Sequence, residues 1–272
     1  MKEVILNNGV KMPVLGLGVY KATDAAEMEA AVQWALEAGY RGFDTAQMYK
    51  NEELLGQSLK KAGTAREDIF ITSKVDLEHM SYKPALESFE ESLKKLQTDY
   101  IDLFLIHWPG QQRERLLDTW RALEELYRRK KVRALGVCNC EVRHLEWILE
   151  TCEVKPAVNQ VERHPLLNEN ELGKWCTEKE IVMEAWAPLM RGNMDMPQIT
   201  DMAEKYGKTP AQIILRWDIQ SGYIVIPKSV HKERIYENAD IFDFTMSQED
   251  INVLNSMDNG HRTSFDPETF DF

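Results

Sequence analysis

Short apolar runs alternate with helical stretches from Val14 to Asn238, and no other feature limits so strongly what this chain can fold into. Val14–Gly18, Arg41–Phe43, Ile69–Lys74, Ile101–His107, Val132–Val137, Ala157–Val161, Ile181–Ala185 and Tyr223–Ile226 read as strands. They are apolar on both faces and rich in Val, Ile and Leu, as in a parallel sheet covered by helices. The spacing predicts helices over Asp24–Ala38, Glu52–Ala62, Lys83–Leu96, Arg113–Arg129, Val142–Glu150, Glu169–Lys179, Thr209–Ser221 and His231–Asn238, the first two stopped by Gly39 and Gly63. A shorter helical insert near Pro197–Tyr206 and an amphipathic helix at Gln248–Met257 are added to the series.

About eight strand–helix units with no linker between them predict an α/β chain forming one closed (β/α)8 barrel rather than a doubly wound sheet. The 272 residues suit the roughly 250 that such a barrel requires. Val4–Leu6, Asn7-Asn8-Gly9 and Val10–Pro13 read as a hairpin with a φ > 0 turn, expected to plug one end. The tail from Asn259 to Phe272 is polar with three phenylalanines, and is expected to fold over the opposite mouth.

A formal net charge of −12 argues against a nucleic-acid or anionic-membrane surface, while leaving room for an anionic small ligand in a locally basic pocket. No apolar run approaches the ~20 residues of a membrane span, and the first residues lack the apolar core of a signal peptide. Cys138, Cys140, Cys152 and Cys176 form no CxxC pair and no metal-ligand spacing with histidine. A monomeric cytoplasmic protein with reduced thiols and no metal is the expectation.

In a (β/α)8 barrel the C-terminal strand ends line the active site. Here those positions hold Gly18-Val19-Tyr20, Asp44 with Tyr49, Lys74, His107-Trp108, Cys138-Asn139, Gln160, Trp186 and Lys228-Ser229. Singly, each has an ordinary explanation: a loop anchor, a solvated lysine, a satisfied core histidine. Together they form a chemical set. A lysine ammonium beside a phenol is expected to lower the phenol pKa from about 10. Asp44 would keep Lys74 charged, Tyr49 would become a usable proton donor, and His107 could orient a carbonyl oxygen.

A second set suits an aromatic, phosphorylated ligand. Asn139 and Gln160 offer amides, Trp186 a stacking face, and Lys228, Ser229 and Arg234 a cationic corner. Gly16-Leu17-Gly18 lacks the third glycine of a dinucleotide fingerprint, and no Walker A loop is present.

These residues resemble the aldo-keto reductases nearly end to end. The motifs are Gly16-Leu17-Gly18, Asp44-Thr45-Ala46 with Tyr49 and Asn51-Glu52, Leu105-Ile106-His107-Trp108-Pro109, Gly136-Val137-Cys138-Asn139, Val158-Asn159-Gln160-Val161-Glu162 with His164-Pro165, and Ile226-Pro227-Lys228-Ser229. Short loops and Gly260-His261-Arg262 are most similar to the microbial and protozoan branch, with its 2,5-diketo-D-gluconate, methylglyoxal and prostaglandin F-type reductases.

The resemblance implies a TIM barrel that uses NADPH to reduce aldehydes and ketones. By matching position, Tyr49 is the proton donor, Asp44 and Lys74 tune it, and His107 orients the substrate. Asn139 and Gln160 would hold the carboxamide, with Cys138 beside them, and Trp186 would stack on the nicotinamide. Ala187 to Gly192, including Leu189, would line the pyrophosphate. Lys228, Ser229, Val230 and Arg234 would take the 2′-phosphate region, Glu237 and Asn238 the adenine. Gly18 and Val19 would border the cofactor, while Tyr20, Trp108 and the tail would wall the substrate pocket.

Several positions depart from the family pattern. Cys138 replaces a serine, Cys140 a phenylalanine, and Trp186 the commoner tyrosine. Val75-Asp76-Leu77 replaces Leu-Trp-Asn, so a roomier and more polar pocket is expected. Ala187 and Met190 replace serine and glycine. Two other readings stay open on the residues alone: a Schiff-base aldolase acting through Lys74, and a cofactor-sensing binding subunit.

Overall fold

The computed structural model describes residues 2–272. An antiparallel hairpin, β1 (Glu3–Ile5) and β2 (Lys11–Pro13), precedes eight parallel strands that neighbour one another in chain order. These are β3 (Gly16–Gly18), β4 (Gly42–Asp44), β5 (Phe70–Val75), β6 (Ile101–Ile106), β7 (Val132–Cys138), β8 (Val158–Glu162), β9 (Val182–Trp186) and β10 (Ile224–Val225). The two edges meet at a seam, where Leu15 bridges Val225 and Gly18 bridges Lys228. A barrel is the result.

Strand parity sorts the side chains. Phe70, Leu103, Leu105, Ala134, Cys138, Val158 and Ile224 join one apolar cluster that fills the barrel, together with Leu6 and Met12 from the hairpin. The alternate residues Phe43, Ile71, Phe104, Ile106, Leu135 and Val137 pack outward against the helices. Because successive strand residues face opposite ways, Thr72 and Lys74 follow Phe70 inward. The interior is thus greasy at the hairpin end and polar at the other.

The expected helices form with ends shifted by a residue or two, and α1 (Ala25–Glu37) shows why one of them starts where it does. Asp24 accepts from the backbone N–H of Ala26 and Glu27 at 2.9 Å, a cap worth about 1 kcal/mol. The helix Pro210–Gln220 begins with a Thr209–Gln212 capping box and proline in its first turn. Asn51 precedes α2 (Glu52–Ala62), the position where a cap belongs, but makes no side-chain cap. Its amide instead donates to the carbonyls of Val19 and Ala22 and its oxygen accepts from Thr45, tying two strand-end loops together.

The hairpin covers the N-terminal strand ends, with Asn7 and Asn8 donating to the carbonyls of Pro156 and Arg133. The tail lies over the other end, as expected. Arg262 grips Glu141 and Glu169, Thr263 donates to Glu162, and Phe270 packs on Trp108 with ring centroids 4.8 Å apart. Among the described residues no helix is long and apolar enough to cross a membrane.

Candidate active site

Asp44 closes β4 and Lys74 sits one residue before the end of β5, both facing the barrel axis. Lys74 Nζ donates to Asp44 Oδ1 at 2.7 Å and to the Thr45 carbonyl at 2.9 Å, with its side chain fully buried. Burial works against the ammonium, but Asp44, Tyr49 and Cys138 together outweigh it and hold the Lys74 pKa above its ordinary value. Lys74 is a cation at any working pH.

Tyr49 ends a single 3-10 turn, Gln47–Tyr49, immediately after the β4 loop. Gln47 anchors that turn by donating to Ser92 Oγ and accepting from the backbone N–H of Asp76. The half-buried phenol ring lies with its centroid 5.1 Å from Lys74 Nζ, 5.5 Å from the His107 ring and 5.0 Å from the Tyr20 ring. The expected net fall in the Tyr49 pKa does not occur. Burial is the largest influence and raises it, and Lys74 pulls it down without cancelling that rise. The phenol therefore keeps its proton, which is the form a donor must start from.

His107 follows β6 and is buried; that burial, then the Lys74 charge, pushes its pKa well below the usual value. It is a neutral imidazole, and its Nδ1 has no hydrogen-bond partner among the described residues. Trp108, 7% exposed, carries the wall onward to the tail aromatics Phe265 and Phe270.

The second set gathers on the adjoining strand ends. Asn139 leaves β7 with φ +59°, a left-handed conformation that asparagine tolerates better than most residues. That turn lets its amide donate to the His107 carbonyl and Cys138 Sγ, while its oxygen accepts from Trp186 Nε1 at 2.9 Å. Gln160 is committed more deeply than its sequence position suggests. Its Nε2 donates to Asp44 Oδ2 at 2.8 Å and to Glu184 Oε2 at 2.7 Å, and its oxygen accepts from Cys138 Sγ at 3.6 Å, so one lone pair of that oxygen is what it can offer a ligand. Ala187, Met190 and Arg191 all have positive φ, an unusual density of strained residues in the loop after Trp186.

At the seam, Gly18 is required by close approach: a Cβ there would lie 2.8 Å from the Ile226 carbonyl oxygen. Val19 is buried and Tyr20 half-exposed above it. Lys228 and Arg234 are exposed and have no ion-pair partner among the described residues, flanking the N-terminus of the helix Lys232–Ala239. Ser229 and Asn238 are buried, Val230 and Leu189 partly so, and Glu237 accepts from Thr209. Two unpaired cations at a helix start, a buried hydroxyl and a partly buried indole form a set that fits a phosphorylated dinucleotide.

Asp76, expected to add polarity to the pocket, uses one carboxylate oxygen to cap the turn that follows it. Sequence reasoning missed Glu184, Gln47 and Thr45. Glu184 was detectable as the lone carboxylate in Ile181-Val182-Met183-Glu184-Ala185, at the inward parity of Trp186.

The Aldo/keto reductase family model matches residues 14–259. The chain belongs to this family. It is an oxidoreductase. The glyoxal reductase of Bacillus subtilis (strain 168) is 50% identical over 270 residues, covering 98% of this chain and 97% of that protein. The methylglyoxal reductase DkgA of Escherichia coli (strain K12) is 43% identical over 268 residues, covering 97% and 96%. A variant of Gox0644 in complex with NADPH superimposes with a TM-score of 0.94 at 38% identity, covering 100% of this chain and 99% of that one. The match to all three runs along nearly the whole of each chain, and the solved one shares this barrel.

Proposed function

We propose that this reductase uses NADPH to reduce small reactive aldehydes and ketones, glyoxal and methylglyoxal among them, with Tyr49 as proton donor. The observation that carries the reading is the buried Asp44–Lys74 pair, at 2.7 Å, set beneath a protonated phenol and a neutral imidazole at one mouth of the barrel. The names of the two dicarbonyl-reducing relatives support the substrate class.

NADPH supplies the hydride when bound. Every other part belongs to the chain. His107 donates a hydrogen bond from its neutral ring to the carbonyl oxygen and fixes the substrate's orientation. Tyr49 gives that oxygen its proton, and Lys74 stabilises the negative charge left on the phenol. Asp44 and the Thr45 carbonyl hold Lys74 in place. Trp186 and Asn139, joined through the indole N–H, offer the nicotinamide a face and an edge, and the Gln160 oxygen accepts from its amide. Lys228, Ser229 and Arg234 take the 2′-phosphate, with Val230, Glu237 and Asn238 beside the adenosine. Gly18, Val19, Tyr20, Ala187 and Leu189 line the path between. Tyr20, Trp108 and the tail rings enclose the substrate. A Schiff-base reading of Lys74 is disfavoured by its fixed positive charge, which leaves no lone pair for attack on a carbonyl.

Loss of nicotinamide absorbance on mixing protein, NADPH and glyoxal or methylglyoxal tests the reading, and no loss with any of a panel of aldehydes rejects it. Cofactor choice has a separate check. Arg234→Ala removes one charge-assisted contact to the 2′-phosphate and is expected to weaken NADPH binding about tenfold, leaving NADH binding nearly unchanged. Fluorescence titration with both cofactors measures this, and an equal loss for the two would move the phosphate site elsewhere.

A further inference from the structure

Glu184 lies on β9 inside the barrel, 1% exposed, one layer below the rim where the reactive groups meet. Its register partners are Gln160 on β8 and Ile224 on β10. Gln160 divides its two amide protons between Glu184 and Asp44, and the second oxygen of Asp44 accepts from Lys74. A continuous row of hydrogen bonds therefore runs from Glu184 through Gln160 and Asp44 to the ammonium beside Tyr49. The other oxygen of Glu184 has no partner among the described residues.

Two carboxyl groups thus flank one amide nitrogen, with one buried ammonium to serve both. The titratable and amide groups facing Glu184 are Asp44 from β4, Lys74 from β5, Cys138 from β7 and Gln160 from β8; the uncharged neighbours are Met12 and Pro13 from the hairpin, Phe70 and Thr72 from β5, Ile224 from β10 and Ile226 just after it. Asp44 is committed to its ion pair with Lys74. A second anion in this interior would be buried and close to the first, and both effects favour the neutral acid. Burial first, and then the Asp44 charge, raise the Glu184 pKa to about 8.

We propose that Glu184 is a positioning residue of the reductase site: as a neutral acid it clamps the Gln160 amide that holds Asp44 on Lys74, and its ionisation slows carbonyl reduction. This rests on the reading of Tyr49 and Lys74 as the proton-donating pair. An ionised Glu184 competes with the phenolate for the single ammonium and makes Tyr49 a weaker acid in the step where it must give up its proton. Glu184 touches neither substrate nor cofactor in this scheme; it acts through Gln160.

Two variants separate clamp from charge. Glu184→Gln keeps an oxygen for Gln160 and cannot ionise, whereas Glu184→Ala removes the clamp. In cofactor-free protein, difference infrared spectra of wild type against Glu184→Gln should show a neutral-carboxyl C=O stretch at neutral pH that disappears as pH rises through about 8. Stability should follow the same window. A raised folded-state pKa means that the folded protein binds more protons, so wild type loses stability relative to Glu184→Gln as pH rises from the unfolded value of 4.5 to about 8.

In turnover, wild-type kcat/KM for methylglyoxal should fall about tenfold across that ionisation, while Glu184→Gln stays flat. Glu184→Ala should lose about tenfold in kcat at every pH, a loss that Glu184→Gln rescues. Absence of the carboxyl band, or superimposable pH profiles for wild type and Glu184→Gln, overturns the proposal while leaving the reductase reading intact. Wild-type protein that reduces no carbonyl compound with NADPH overturns both.

Discussion

Tyr49→Phe is expected to cut kcat for NADPH-dependent carbonyl reduction by roughly 10²- to 10⁴-fold, the usual contribution of a positioned general acid. The ring would still pack against Tyr20 and His107, since those contacts involve the ring and not the hydroxyl. NADPH affinity and thermal stability should therefore change little. Steady-state kinetics with fluorescence titration of the cofactor check the two halves together. A Tyr49→Phe protein that keeps more than about a tenth of the wild-type rate would assign the proton to another donor. His107 is the nearest alternative, although its neutral ring lies far from the protonated form that such a role demands.

The second large effect comes from Lys74→Met. The substitution preserves most of the side-chain volume but leaves Asp44 as a buried carboxylate without a cation. Breaking one side of a buried pair typically costs about 3–5 kcal/mol. Unfolding by denaturant should register a loss of that order, and activity should fall together with Tyr49's access to a stabilising charge. Adding Asp44→Asn removes the stranded anion, so the double variant should recover much of the stability and none of the activity. If the single variant is as stable as wild type, the pair contributes nothing to the fold. If the double variant is active, Lys74 is not part of the chemistry.

Much of this site could be read from the chain because strand parity is a simple rule. Once Ile69–Lys74 is a barrel strand with Phe70 inward, Lys74 must face inward as well, and Asp44 ends the neighbouring strand. Gln160 and Trp186 follow in the same way, whereas Asn139, next after the inward Cys138, reaches the site only through its left-handed turn. What escaped depends on three-dimensional competition. Asn51 stands where a helix cap belongs, yet the Val19 and Ala22 carbonyls claim its amide, and nothing local reveals that demand. The Tyr49 pKa moved opposite to expectation because proximity to Lys74 is visible in the strand order, whereas the depth of burial that outweighs it is not. Glu184 sits two residues below the end of β9, outside the rim positions that the barrel architecture marks for chemistry. The commitment of the Gln160 amide is hidden in the chain because both its acceptors come from other strands.

The seam carries a mechanical consequence. β5, β6 and β7 pair along most of their lengths, but β3 and β10 meet only through short bridges, with Val225 donating to Val14 and Gly18 to Pro227. A barrel so uneven opens most easily along that line, as a stave parts where the hoop is thinnest. Lys228 and Ser229 stand on one side of it, Gly18, Val19 and Tyr20 on the other. A dinucleotide seated as proposed would straddle the join and act as a rivet, so that part of its binding energy is spent on rigidity and the loaded barrel resists local opening more than the empty one does.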